Sequence, residues 1–375
     1  MIELIDREKP LSLYIHVPFC SSKCSYCAFY SEPQGAWNKS IIERYTDLIS
    51  NQIGKCTEKY PHPFHTVYIG GGNPGKLGEK NLLKILEKAL SAGKPDEVTV
   101  ELNPEDVGPW ISSMEGIVDR ISIGIQSMNE KMLSFLGRNA TLKENTRALE
   151  TLSSSRFSFN ADIITSVPGF SVEDTLEDIR KVSLYGPDHI SFYSLVYEEG
   201  TKFYPLYEKR DEEYEEKCLR EGWHLLKELG YRHYEVSNFA KPGNEAKHNL
   251  VYWNLGAYIG LGPGAEGRTG RNEVYTIRSN QDVFEFLEKP VYDVEILDRM
   301  DRIVDYIMLK LRIEEGIDKA EFEKLSGLSF DSLLPFLEKE CPGECYINAK
   351  ESFRLTEEGL MVLDNIVRTL VLALV

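Results

Sequence analysis

Cys20, Cys24 and Cys27 crowd into the eight-residue run Cys20-Ser-Ser-Lys-Cys24-Ser-Tyr-Cys27. Three thiolates at this spacing can each bind one iron of a cubane 4Fe–4S cluster and leave the fourth iron open to an outside ligand. Other uses of the triple fit less well. Structural zinc asks for a fourth protein ligand, which His16 on the preceding strand is badly placed to supply, and a redox dithiol needs only two cysteines. With seven cysteines, an odd number, the chain shows no disulfide framework, so a reducing, cytoplasmic setting is expected. Cys341 and Cys345 form a pair with no third ligand and read as incidental. Cys56 and Cys218 fall in helical segments and read as structural or exposed thiols.

The elements that must hold this loop follow from periodicity. Apolar, β-rich stretches occur at Leu11–Val17, Thr66–Ile69, Glu97–Leu102, Arg120–Ile125, Ser158–Ile164 and His189–Leu195. Between or after them, Ile41–Ile53, Lys80–Ala92, Lys143–Leu152, Thr175–Leu184 and Glu212–Leu229 have helical spacing. Strands alternating with crossover helices imply an α/β protein with a parallel sheet, flat or curled into a barrel, with function at the C-terminal strand ends. Small and polar residues gather at those ends: the cysteine loop, Gly70-Gly71-Gly72-Asn73-Pro74, Glu101-Leu102-Asn103-Pro104, Gly124-Ile125-Gln126-Ser127 and Val167-Pro168-Gly169. A Gly-rich, aromatic stretch fills 242–270. Helical patterns return from about Gln281, with a short hairpin expected near Tyr346–Leu355. The expected division is 1–280 for the α/β part with its extension and 281–375 for a small, mostly helical, winged-helix-like domain.

Charge narrows the partners. Lys and Arg number 43 against 60 Asp and Glu, a formal charge of −17, which argues against broad contact with a nucleic-acid backbone and so against RNA modification. Met1–Pro10 carries charges where a signal peptide needs an apolar core, and the longest apolar run, Leu370–Val375, is too short to span a membrane. Peripheral membrane association is left open.

The strand–CxxxCxYC–helix arrangement resembles the radical S-adenosylmethionine (SAM) superfamily. Further stretches resemble one branch of it, in family order: Tyr14–Cys20 (YIHVPFC), Tyr68–Pro74 (YIGGGNP), Glu101–Pro104 (ELNP), Ile121–Ser127 (ISIGIQS), Leu136–Arg138, Asp162–Ile164 ahead of Pro168-Gly169, Tyr234–Ala240 (YEVSNFA) and His248–Trp253 (HNLVYW). That branch holds oxygen-independent coproporphyrinogen III oxidase and its heme-chaperone relatives. The resemblance implies a partial (β/α)6 barrel and a 4Fe–4S cluster on Cys20, Cys24 and Cys27 whose open iron chelates SAM. It also implies a SAM and substrate site drawn from Tyr14, Tyr26, Gly71, Gly72, Asn73, Glu101, Gln126, Arg138 and Asp162.

Each position has a physical reading beside that one. Gly71 and Gly72 let backbone approach the methionine part of SAM, or simply make a tight turn. Glu101 can accept from the SAM amino group or ribose, or be a solvated edge carboxylate. Tyr26 can contact adenine, or only pack. Arg138 can clamp a carboxylate, or make a surface ion pair. His248 in HNLVYW is a candidate axial heme ligand by the resemblance, although a lone histidine among aromatics is more often a hydrogen-bonded structural residue.

Within the branch, the oxidase carries a C-x-C after the triad, whereas Ala28-Phe29 follow Cys27 here. That favours the heme-chaperone group: heme or a porphyrin-type ligand as cargo, an acceptor protein and an electron donor, with no catalytic residue assigned. The sequence leaves open whether SAM is cleaved or only bound. The alternative is a radical SAM oxidoreductase acting on a porphyrinogen or another small substrate. The chain departs from the group's usual Asp, His and His at Ala28, Ala140 and Glu266.

Overall fold

The six expected strands form, and most of their residues are buried. The computed structural model describes residues 2–270, 273–341 and 343–374. Met1, Arg271, Asn272, Pro342 and Val375 lie outside them, so the end of the apolar C-terminal run and parts of both expected domains fall outside the described residues. In order come β1 (Leu11–Val17), α1 (Lys39–Lys59), β2 (Thr66–Gly71), α2 (Glu79–Ala89), β3 (Glu97–Leu102), β4 (Arg120–Gln126), α3 (Glu130–Leu136), α4 (Leu142–Ser153), β5 (Ser158–Thr165), α5 (Val172–Ser183), β6 (His189–Ser194) and α6 (Glu212–Glu228). β1 to β6 pair in chain order and in parallel. Every residue of β4 and all but one of β1 is buried, as near-continuous apolar runs predict. Capping boxes, Thr141 with Glu144 and Ser171 with Asp174, start α4 and α5 by satisfying orphan backbone donors in both directions.

The Gly-rich stretch is structured rather than a loop. After β7 (Arg232–Glu235) and β8 (Asn238–Ala240) come α7 (Lys247–Trp253), β9 (Ala257–Leu261), β10 (Glu266–Thr269) and β11 (Val274–Ser279). α8 (Val283–Glu288) and β12 (Tyr292–Leu297) follow. The sheet runs β12-β11-β10-β9-β1-β2-β3-β4-β5-β6-β8-β7, with β9 parallel to β1 and β8 antiparallel to β6. Glycines make the close passage possible: a Cβ at Gly260 would lie 1.9 Å from the Glu266 carbonyl oxygen. The sequence pattern missed these strands because their pairing is set by tertiary contact and glycine, not by alternating apolar residues.

The expected division at 280/281 falls between β11 and α8. The long sheet continues through β12, and Val283 and Phe286 of α8 join the core of the α/β part. A second core gathers Ile303, Ile307, Phe322, Phe330, Phe353, Ile366 and Leu370. Its elements are α9 (Arg299–Lys310), β13 (Ile317–Asp318), α10 (Lys319–Ser326), α11 (Leu334–Glu340), the hairpin β14 (Tyr346–Asn348) and β15 (Ser352–Leu355), α12 (Glu357–Met361) and α13 (Leu363–Leu372). This part is fastened to the first at backbone level: Val236 N–H donates to the Arg312 carbonyl at 2.8 Å and Glu314 N–H to the Tyr234 carbonyl at 3.1 Å. No helix among the described residues is long and apolar enough to cross a membrane.

Candidate functional site

The cysteine loop leaves the C-terminal end of β1 and is tied down on both sides. Phe19, fully buried, packs on Trp37 and Tyr45, and Cys20 N–H donates to the Glu32 carbonyl at 3.0 Å. Midway, Ser25 N–H donates to the Leu136 carbonyl at 3.0 Å. This second tie explains Leu136-Gly137-Arg138. Gly137 ends α3 at φ 73°, and a Cβ there would meet Ser25 Oγ at 2.8 Å, so only glycine allows both the left-handed cap and the approach. The turn delivers Arg138 to the cysteines: its Nη1 lies 3.7 Å from Cys24 Sγ, while Nη2 donates to Asn103 Oδ1 at 3.1 Å and the Gly124 carbonyl at 2.7 Å.

The three thiols are partly exposed and unpaired by disulfides. Burial pushes Cys20 up to about 11 and also raises Cys27, and the neighbouring cysteines add to both shifts. As free thiols they are therefore poor nucleophiles; a metal is what would hold them as thiolates. No three Cys, His, Asp or Glu side chains stand in metal-binding geometry among the described residues. The donor set nevertheless fits an iron–sulfur cluster: three soft ligands on one loop, with Lys23 and the Arg138 guanidinium nearby to offset thiolate charge. Arg138 Nε is buried without a hydrogen-bond partner among the described residues. Burial works against the Arg138 charge, but Tyr26 and Cys24 outweigh it and raise its pKa.

The glycine turn after β2 sits against this loop. Gly72 N–H donates to the Val17 carbonyl at 2.7 Å, and a Cβ on Gly72 would lie 2.8 Å from that oxygen and 3.1 Å from Cys20 Sγ. Gly71 has φ 104°, and its Cβ would meet His16 Nδ1 at 2.5 Å. Asn73 turns away from the loop: its Oδ1 accepts from Gly75 N–H at 3.1 Å and its Nδ2 donates to Asp106, so it caps the turn.

Glu101 accepts from Gly71 N–H at 3.0 Å and from the Tyr68 hydroxyl. Burial, reinforced by Asp162, raises it to about 7. Asp162 is raised by burial to about 6, although Ser191 and Asn160 donate to it. Two neighbouring carboxyls of raised pKa beside a guanidinium form a polar site able to receive a zwitterionic ligand. Gln126, at φ 65° where β4 and β5 slip register, takes a bond from the Tyr193 hydroxyl at 3.1 Å. Tyr26 packs with Phe170 and Tyr193 on the small cluster beside Arg138. Tyr14 donates to, or accepts from, His16 Nδ1 at 2.9 Å, while His16 Nε2 lies 2.8 Å from the Tyr30 carbonyl. His16 thus braces the loop.

His248 reaches the others only through Tyr68, on which its ring stacks and whose hydroxyl bonds Glu101. It lies on α7 at the N-terminal ends of the strands, bonded through Nδ1 to Thr66 Oγ1 and through Nε2 to the Tyr252 hydroxyl, both at 2.7 Å. Both ring nitrogens are committed, the ring is stacked on Tyr68, and burial lowers its pKa to about 3. Its position is that of a satisfied structural histidine. The three departures also differ in setting: Ala28 is exposed, Ala140 is buried, and Glu266 pairs Arg278 at 2.6 Å on the surface. Sequence reasoning missed Tyr68, Asn103, Ser191 and Tyr193. Period-two spacing was the available signal for Tyr193, which shares a strand face with Ser191, and for Tyr68, which shares one with Gly70.

Fold and cysteine loop together define a radical SAM protein, and the comparisons agree. The radical SAM superfamily model matches residues 14–182, and the HemN C-terminal domain model matches residues 297–362. The heme chaperone HemW of Haemophilus influenzae is 32% identical, over 95% of this chain and 97% of its own. That of Buchnera aphidicola (subsp. Schizaphis graminum) is 30% identical over 96% and 98%. Coproporphyrinogen III oxidase HemN of Escherichia coli, a radical SAM enzyme, superposes with TM-score 0.80 over 98% of this chain and 92% of its own, at 18% identity, which shows a shared fold. The chain belongs to the radical SAM superfamily and, within it, to the family of the heme chaperone HemW.

Proposed function

We propose that the protein binds heme and hands it to an acceptor protein in the cytoplasm. The carrying observation is the full-length similarity to HemW chaperones, supported by the missing C-x-C after the triad. Cys20, Cys24 and Cys27 would hold a 4Fe–4S cluster, and Gly71, Gly72, Glu101 and Asp162 would seat SAM beside it. The cluster, when bound, supplies an electron and an open iron. The chain's own contribution is positional: Gly137 and Phe19 fix the loop, Arg138 offsets thiolate charge, and Glu101 presents a carboxyl. An electron-donor protein would approach the exposed loop at Ala28-Phe29, where Phe29 is 67% exposed.

The test is anaerobic hemin titration of the reconstituted protein, followed by absorbance, with transfer to an apo-heme acceptor and a parallel assay for 5′-deoxyadenosine. A saturable Soret band, transfer, and little SAM turnover are expected. Substrate-dependent 5′-deoxyadenosine without heme binding would replace this reading with a radical SAM oxidoreductase.

A further inference from the structure

A sizeable cavity lies away from the cysteine loop. A cleft of about 700 Å³ opens where α7, the start of β1 and β10 face α9 and α10 of the C-terminal part. Leu250, Val251, Leu255 and Leu325 supply apolar surface. Although the chain carries a net −17, the charged lining is mostly basic: Lys9, Lys247, Arg268 and Arg302 against Asp96 and Glu321. Arg268 is already paired with Asp305 at 2.6 Å, but Arg302 Nε is buried with no hydrogen-bond partner among the described residues. A guanidinium on the wall of a cleft can pair an anion there, through the nitrogens it presents to the opening.

One wall also carries a ligand for iron. His65 lines the cleft, with Nδ1 3.2 Å from Asp96 Oδ2. With Nδ1 turned to the Asp96 carboxylate, Nε2 is the ring nitrogen left to face a metal, and the carboxylate beside Nδ1 would orient the ring. The ring is held in place by its own backbone: His65 N–H donates to the Leu11 carbonyl and its carbonyl accepts from Asp96 N–H, both at 2.8 Å. The ring is 39% exposed, unlike that of the enclosed His248.

We propose that this cleft is the heme seat, with His65 Nε2 as axial ligand, Asp96 orienting it, and Arg302 and Lys247 receiving the propionates. The inference rests on the heme-binding reading above and deepens it. The volume falls within the usual range for a ligand of this size, roughly 300 to 1,000 Å³. Coordination changes no oxidation state: Nε2 donates its lone pair to ferric iron and displaces a water.

The full-length protein would be titrated with hemin and, separately, with iron-free protoporphyrin IX. His65→Gly should weaken hemin binding at least tenfold and shift the Soret band, while leaving protoporphyrin affinity unchanged, and added imidazole should restore the band. Asp96→Asn should weaken hemin binding on the order of tenfold. Arg302→Gln should weaken both porphyrins, since it removes a propionate partner. Thermal unfolding checks that each variant folds. Wild-type affinity and spectrum in His65→Gly would overturn the assignment and leave the heme reading standing. No saturable hemin binding by the wild type would overturn both.

Discussion

The two ends of the parallel strands handle polarity in opposite ways. At the C-terminal end, Glu101 and Asp162 are raised in pKa, Arg138 keeps an orphan nitrogen, Gln126 takes a left-handed backbone, and the three thiols have no metal-free use. At the N-terminal end, most polar side chains pair within the fold, although Arg120 Nη1 is buried with no hydrogen-bond partner among the described residues. His248 uses both nitrogens, Thr66 donates to Ser12 at 2.8 Å, and Glu97 pairs Arg120 at 3.2 Å in full burial. Unspent polarity marks where a ligand belongs, whereas spent polarity marks where the fold is held. A conspicuous histidine in an aromatic motif belongs to the second kind here. A histidine with no motif, His65, stands at that same N-terminal end yet lines an open cleft.

The comparison is most easily broken at the cysteines. Cys24→Ala should abolish the brown chromophore and about four irons per chain in reconstituted protein, with little change in thermal stability of the metal-free chain. Retention of the cluster would mean that the loop is not its seat. At the other end, Arg120→Ala should cost about 3–5 kcal/mol of stability, read as a lower urea midpoint at unchanged slope. It strands Glu97, which also accepts from His248 N–H at 3.2 Å. His248→Ala should cost less, about 2–4 kcal/mol, by leaving the Tyr252 hydroxyl unpaired, Thr66 with only its bond to Ser12, and a cavity under Tyr68. At a temperature where this variant is folded, hemin affinity and the Soret position should match the wild type. A lost Soret band in a folded His248→Ala protein would move the heme ligand back to α7.

The sequence made the strands legible because parallel strands buried on both faces leave unbroken apolar runs: β1 and β3 coincide with the expected ranges and the other four differ only at their C-terminal ends. β4 ends one residue later, at Gln126, where a backbone of φ 65° leaves no mark in composition. The cysteine triad and the glycine turn stand out in the sequence because soft-metal ligation and close backbone approach each restrict residue type. Asn73 and His248 differ from the other candidates in a shared way. Both sit in motifs, yet hydrogen bonding within the fold has already consumed their side chains. β9 to β12 and the cleft at their edge arise from contacts between distant segments, such as Arg268 with Asp305, which no local period encodes.

The smallest effect is also the most diagnostic of unspent polarity. Glu101 and Asp162 titrate at about 7 and about 6, above ordinary carboxyl values, chiefly because burial disfavours the charged forms. Between roughly pH 4 and 7 the native state therefore binds more protons than the unfolded chain, and stability must fall as pH rises across that window. The penalty is complete above about pH 7 and absent in acid below the unfolded values. Glu101→Gln removes the larger part of it. The amide oxygen can still accept from Gly71 N–H, and its NH2 can donate to the Tyr68 hydroxyl, which reorients to accept. Unfolding free energy at pH 7.5 should rise by on the order of 1–2 kcal/mol relative to the wild type, with the two curves converging near pH 4.5. Parallel curves offset by a constant amount would mean that Glu101 is as well solvated as an edge carboxylate, and the C-terminal end would then hold no more unspent polarity than the floor.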